Sequence, residues 1–242
     1  MTTNLTGRVA IVTGAGSGLG EAVTFALSQA GVAVVAADIN EEEAKRVAAQ
    51  VSLHGGRATP YKVDVSEAQE VEEIVQAALH QYGQIDFLIN NAGIDHTLPI
   101  TQMTHEQWNR IIAVNLTGAF LCSKAVFGAM QAQGGGHIVN IASTAAKRGW
   151  PNATAYCASK FGLVGFTQAL AAEGRPFGIK ASLVIPGGMR THFFDRLEEK
   201  PDPKNLNDPS NVANMILFIL SQPPESNVAE VIICSVKETS WP

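Results

Sequence analysis

Three cysteines in 242 residues, Cys122, Cys157 and Cys234, are too few and too scattered to staple a fold. None stands in a CxxC or Cys/His spacing, so no metal site is expected, and they read as small packing residues of a protein kept in a reducing, cytoplasmic compartment. Charge is sparse as well: charged residues make up 16 %, the net charge is -5 and no basic block is present, which excludes nucleic acid as an expected partner. Long hydrophobic runs are missing. The stretch "MILFIL" at 215–220 is far too short to span a membrane, and the opening "MTTNLTGRVAIV" leaves no room for a signal peptide. The N-x-T triplets at Asn4, Asn115 and Asn152 are then chance matches. Internal repeats and low-complexity segments are absent too. What remains is a chain 46 % hydrophobic, enough to bury a substantial core, and of a length that suits one domain over residues 1–242.

Short β-branched runs alternate with amphipathic segments from one end to the other. Strands are expected at 8–14, 32–38, 58–65, 84–93, 137–143, 179–185 and 229–235. Helical patterns fall at about 18–30, 41–53, 67–82, 104–132, 154–173 and 210–221. Near-continuous apolar strands imply a sheet covered on both faces, hence parallel strands joined by helical crossovers. The fold class is therefore α/β, a doubly wound, Rossmann-type parallel sheet of about seven strands; an eight-fold barrel would need one repeat more. The stretch "EEKPDPKNLNDPS" at 198–210, rich in Pro, Asn and charge, reads as a mobile surface loop.

The first strand runs into "VTGAGSGLGEA". Gly14, Gly18 and Gly20, with Ser17 and Leu19 among them, leave room for backbone to approach a pyrophosphate at the start of a helix. The spacing is not G-x-G-x-x-G, because Leu19 stands where that pattern wants glycine, and no Lys follows as in a Walker loop. Asp38 closes the second strand. A carboxylate there accepts both hydroxyls of an adenosine ribose and repels a 2′-phosphate, and no Arg or Lys occupies Ser17, Ile39 or Asn40, which argues for NAD over NADP. Asp38 or Asn40 could equally cap the helix that follows. Farther on, "ATAYCASKFG" places Tyr156 and Lys160 four positions apart, one helical turn from each other on one face.

With "TGAGSGLG" at 13–20, "NNAG" at 90–93, Asn115, Ser143 and the Tyr156–Lys160 pair in that order, the chain resembles the short-chain dehydrogenase/reductase family over nearly its whole length. Each motif alone is weak, and their order and separations are specific. The resemblance implies that Tyr156 is the general acid or base. Its phenol is brought from about 10 toward the working pH by the ammonium of Lys160 and the positive nicotinamide ring. It implies that Lys160 binds the nicotinamide ribose, that Ser143 donates to the substrate oxygen and that Asn115 holds a water relaying protons from Lys160. Asp64 and Val65 would meet the adenine, Asn90 would brace the sheet, and Asn91, Ala92 and Gly93 would lie against the cofactor. Pro186, Gly187, Met189 and Thr191 would border the nicotinamide amide, and residues 188–210 would form a substrate lid. Trp150 and His96 are candidates for the substrate pocket, with His96 not expected to be a metal ligand. Small-molecule alcohols or ketones, and a second copy of the chain as homodimer or homotetramer, are the partners implied.

Three departures stand out. Ser182 occupies a position where the family usually carries Asn, the ending lacks the usual Thr-Gly … Asp-Gly-Gly, and Phe177 stands where acyl-carrier-protein reductases tend to have Arg. The expected activity is an NAD-dependent interconversion of a secondary alcohol and a ketone. The rivals are a 3-oxoacyl-thioester reductase using NADPH and a non-catalytic NAD-binding regulator.

Overall fold

The computed structural model describes residues 3–195 and 200–238. Seven strands, β1 (Val9–Thr13), β2 (Ala33–Asp38), β3 (Arg57–Lys62), β4 (Phe87–Asn90), β5 (Gly136–Ile141), β6 (Ile179–Pro186) and β7 (Glu230–Ile233), form one sheet in the order β3-β2-β1-β4-β5-β6-β7. All pairs are parallel. The inner strands are buried on both sides, as their unbroken apolar runs require; β1 reads VAIVT with every residue buried. Full burial of each Val or Ile side chain contributes about 1.5–3 kcal/mol, so the central strands anchor the fold.

Helices cover both faces. On one side α1 (Gly18–Gln29) and α7 (Pro209–Leu220) pack on a core that includes Val12, Val34, Ile89 and Val184, with α2 (Glu41–Leu53) beside them. On the other, α3 (Ala68–Tyr82), α4 (His105–Ile112), α5 (Gly118–Ala132) and α6 (Thr154–Gly174) enclose a core that includes Ile11, Val35, Leu88 and Ile138. The strand order reverses between β1 and β4, and the strand ends part there to open a crevice.

The single helix expected over 104–132 is in fact three pieces. A π-helical turn, Ala113–Thr117, separates α4 from α5 and contains Asn115. By length and composition His105–Ala132 is apolar enough to cross a membrane, yet it packs against α3 and α6. The loop after residue 200 is also less free than its composition implies: Asn207 is buried, its N–H donates to Gly188 O at 2.8 Å, and Arg190 N–H donates to Asn207 O at 2.9 Å. Residues 196–199 of the expected lid lie outside the described residues.

Ser182 provides its own brace. Its hydroxyl lies 2.6 Å from Val228 O and 2.8 Å from His137 Nε2, tying β5 and β6 to the approach to β7. Despite the atypical ending, β7 forms and pairs with Leu183–Pro186 of β6.

Candidate active site

Gly14 and Gly18 sit at φ +63° and +56°, left-handed backbone that glycine adopts at no steric cost. Gly20 has a different reason: a side chain there would collide with the carbonyl oxygen of Gly14. The loop is therefore folded tightly over the start of α1. Ser17 occupies the N-cap position but makes no side-chain capping bond, and among the described residues no acceptor takes the N–H groups of Gly18 and Leu19. Unsatisfied donors at the positive end of a helix are what a pyrophosphate requires. Asn91 holds this loop to the end of β4, its amide donating to Thr13 O at 2.9 Å and Gly14 O at 3.1 Å. Asn90 braces the neighbouring strands, donating to Asn140 Oδ1 at 2.8 Å.

At the end of β2 the capping question resolves in favour of Asn40, whose side chain accepts from the N–H groups of Glu42 and Glu43. The Asp38 carboxylate instead accepts from Gly16 N–H at 2.8 Å and Asn40 N–H at 2.9 Å, which fixes it facing the glycine loop. Arg46 lies nearby but is fully engaged with Glu21, Glu43, Gln50 and the Gly16 carbonyl.

After β3, Asp64 accepts from the Ser66 N–H and hydroxyl and pairs with Arg110 at 2.8 Å. Burial works to raise this carboxyl, and the bonds from Arg110 and Ser66 with the Arg110 charge outweigh it, leaving Asp64 below the usual carboxylate range. Asp64 is thus both a local turn residue and a wall of the crevice. Arg110, four positions before the buried Val114 on the helical run, shares that wall. Sequence reading missed it because nothing in the spacing shows α4 meeting the end of β3.

At the other end, α6 brings Tyr156 and Lys160 together as their spacing predicts. Both are buried, at 8 % and 4 % exposure, with the ammonium 5.6 Å from the centre of the phenol ring. Lys160 Nζ donates to Ile141 O at 2.8 Å. Burial lowers its pKa to about 8, so it stays largely protonated at neutral pH with its titration close by. Ser143 follows β5, and its Oγ accepts from Ala145 N–H at 3.2 Å, which leaves its own hydrogen for another acceptor. Asn115 lies beneath: Oδ1 accepts from Ile94 N–H at 2.8 Å, and the amide donates to Ile94 O at 2.9 Å and Ser159 Oγ at 3.1 Å.

The side of the crevice formed by Trp150, Phe193 and Phe194 is aromatic. Phe193 lies 5.6 Å from the Tyr156 ring, Phe194 packs edge-on against Phe193, and Trp150 is tethered by its main-chain N–H to Cys157 Sγ at 3.4 Å.

These groups line one cavity of about 440 Å³ running from Asp38 and Asp64 to Ser143, Tyr156 and Phe193. Gly14, Ser17, Gly18, Leu19, Ile39, Val65, Asn91, Ala92, Gly93, Trp150, Lys160, Pro186, Gly187, Met189 and Thr191 all face it. Three expected residues do not. Gly20 is buried under the loop, Asn115 is buried behind Gly93, and His96 stays outside. The chain around His96 is pinned with Asp95 inward and Leu98 N–H bonded to Asn152 O at 2.8 Å, which takes the histidine off the cavity wall. Ile94, Arg110, Gly188 and Phe193 join the lining.

An uncapped helix N-terminus, a carboxylate fixed against the glycine loop and a buried Tyr–Lys pair in one crevice suit an oxidoreductase that uses a nicotinamide cofactor on CH–OH groups. The model of the short chain dehydrogenase family matches residues 8–202, and the chain belongs to that family. It is 34% identical to a 3-oxoacyl-[acyl-carrier-protein] reductase of Thermotoga maritima, over 94% of this chain and 96% of the relative. It is 40% identical to D-threitol dehydrogenase of Mycolicibacterium smegmatis, over 81% and 76%, and 36% identical to cyclohexanol dehydrogenase of an Acinetobacter species, over 91% and 90%. A metagenomic short-chain oxidoreductase solved in complex with NADP superposes with a TM-score of 0.85 at 31% identity, covering 96% of this chain and 98% of that one.

Proposed function

We propose that Tyr156 is the proton-transferring residue of an NAD-dependent dehydrogenase that interconverts a secondary alcohol and a ketone. The observation that carries this reading is the buried Tyr156–Lys160 pair sharing one cavity with Ser143 and the uncapped start of α1. The cofactor, when bound, supplies or accepts the hydride. In oxidation the Tyr156 phenolate takes the hydroxyl proton; in reduction the phenol gives it to the oxygen on which negative charge develops. The Lys160 ammonium favours the phenolate, and two of its three hydrogens are left for ribose hydroxyls and water. Ser143 donates to the same substrate oxygen, so that charge growing there is met by a donor already in place.

Asn115 serves the proton path through its oxygen, because both amide hydrogens are used within the protein. A methyl group on Gly93 would lie 3.5 Å from both Asn115 Oδ1 and Lys160 Nζ, so the missing side chain leaves a niche where one water can accept from the lysine and donate to the amide oxygen. Asp64, Val65 and Ala92 would hold the adenosine and inner faces of the cofactor, and Met189 and Thr191 its amide end.

The choice of NAD rests on Asp38: the residues facing the cavity at that edge, Ser17, Asp38 and Ile39, include no cation, and Arg46 has no donor to spare. The 3-oxoacyl-thioester reading rests on the Thermotoga relative and predicts NADPH-dependent turnover of acyl thioesters. The lid spans 188–210 of a single domain, with its neck closed by Asn207. Exposed Phe120 and Phe161 on α5 and α6 support a homodimer or homotetramer, and the free thiols support a cytoplasmic location.

The test follows reduced-cofactor absorbance across a panel of secondary alcohols, ketones and acyl thioesters, with both NAD and NADP, for wild type and Tyr156→Phe. The expected result is NAD-linked alcohol turnover that falls by about 10²–10⁴-fold in the variant. Turnover that survives the substitution would overturn the assignment of Tyr156. Preference for NADPH with thioesters would replace the substrate and cofactor reading.

A further inference from the structure

The dipeptide Gly187–Gly188 lines the cavity just after β6, and three of its four main-chain polar groups are held by the protein. Gly187 N–H donates to Ile233 O at 2.9 Å, from the end of β7, and Gly188 O accepts from Asn207 N–H at 2.8 Å, from the lid neck. Gly188 N–H donates to Glu238 Oε2 at 2.8 Å. The fourth group, Gly187 C=O, has no donor among the described residues.

The tail that delivers Glu238 is the part of the sequence that departs from the family's usual ending, and it is packed closely here. A side chain on Gly187 would lie 2.7 Å from Glu238 Oε2 and 3.0 Å from Cys234 Sγ. On Gly188 it would lie 2.8 Å from Leu206 and 3.4 Å from Glu238. The two glycines are therefore clasped between the tail and the lid, with room for backbone only. Because a trans peptide is planar, its C=O and N–H point in opposite directions. Anchoring Gly188 N–H to the carboxylate turns Gly187 C=O away from the tail.

We infer that Glu238 is a positioning residue for the cofactor: its carboxylate fixes the Gly187–Gly188 peptide so that the Gly187 carbonyl is presented to the amide N–H of a nicotinamide ring. This rests on the reading above, which puts the nicotinamide beside Pro186 and Gly187. The bond is charge-assisted and partly sheltered, and such bonds are among the stronger ones. Without it the peptide can rotate, and the accepting carbonyl is no longer held in place before the ligand arrives.

The experiment titrates wild type, Glu238→Ala and Glu238→Gln with the reduced dinucleotide and with the matching ADP-ribose, which lacks the nicotinamide, and records KM and kcat. Glu238→Ala is expected to weaken the dinucleotide about tenfold, raise its KM, change kcat little and leave ADP-ribose binding unchanged. Glu238→Gln, which keeps an acceptor oxygen, is expected to recover part of the loss. Equal weakening of both ligands would overturn the inference, because it would show a general structural role, as would unchanged binding of both. If wild type binds the dinucleotide no more tightly than ADP-ribose, the placement of the nicotinamide is itself wrong and the inference goes with it.

Discussion

The two ends of the sheet each hold a lysine against backbone carbonyls, and they use it differently. At the carboxyl end Lys160 is 4 % exposed and has one acceptor among the described residues, Ile141 O. At the amino end Lys180 spends its ammonium on three carbonyls, Gln222, Pro223 and Ser226, at 3.3, 3.2 and 3.0 Å. Next to it His137 is buried against Ser182, and Asp86 takes Arg8 together with the Val9 N–H. The amino end spends Lys180, Asp86 and His137 Nε2 in holding the fold, with His137 Nδ1 left buried and unpartnered among the described residues. The other keeps capacity in reserve, at an expense in stability, for a ligand.

That contrast breaks most visibly at Lys160. Lys160→Met is expected to lower turnover by about 10²–10⁴-fold, since Tyr156, the residue proposed to transfer the proton, loses its charged neighbour. The same substitution should not lower stability. The folded pKa of about 8 lies below the reference 10.5, so below pH 8 the buried ammonium costs the native state about 3 kcal/mol, a penalty relieved as pH rises from 8 to 10.5. Urea midpoints at pH 8 and pH 10 should therefore climb for wild type relative to the variant. Parallel curves would show that the ammonium is not strained.

His137 gives the amino end a pH signature of its own. Burial, with the Lys180 charge adding to it, lowers its pKa from 6.5 to about 3, so the unfolded chain binds a proton that the native state does not. Stability from this group is complete above pH 6.5 and lost as pH falls toward 3, at about 1.4 kcal/mol per unit. Between pH 6.5 and 5 the wild type should lose about 2 kcal/mol more than His137→Gln. Identical slopes in denaturant melts would remove His137 from the account.

The smallest effect belongs to Lys180→Met, with a loss of about 1–2 kcal/mol of stability and kcat unchanged. An activity loss larger than the stability loss would blur the division between the ends.

Much of this was legible before the fold was known. All seven strands and every helical pattern appear close to their expected bounds, because apolar periodicity reports burial directly. The i, i+4 spacing of Tyr156 and Lys160 guaranteed a shared face once α6 formed. What escaped depended on contacts between distant segments. The π turn is accompanied by Asn115 gripping Ile94 and Ser159, residues far from it in the chain. Arg110 enters the crevice wall only because α4 meets the end of β3. His96 is near "NNAG" in the chain, yet it is not among the residues lining the cavity, and its segment is held by the bond from Leu98 to the distant Asn152. Glu238 could not be seen at all, since no periodicity connects a tail carboxylate to a glycine pair fifty positions earlier.

The clasp on that glycine pair has a consequence in time. During synthesis the glycine loop, Asp38, Asp64 and "NNAG" all emerge within the first hundred residues, so that part of the crevice can assemble early. The Gly187–Gly188 peptide, proposed to face the nicotinamide, is different, because its anchors Ile233 and Glu238 follow it in the chain. A nascent chain can thus possess its glycine loop long before the Gly187–Gly188 peptide is clasped, and the end of the site proposed to orient the nicotinamide matures last.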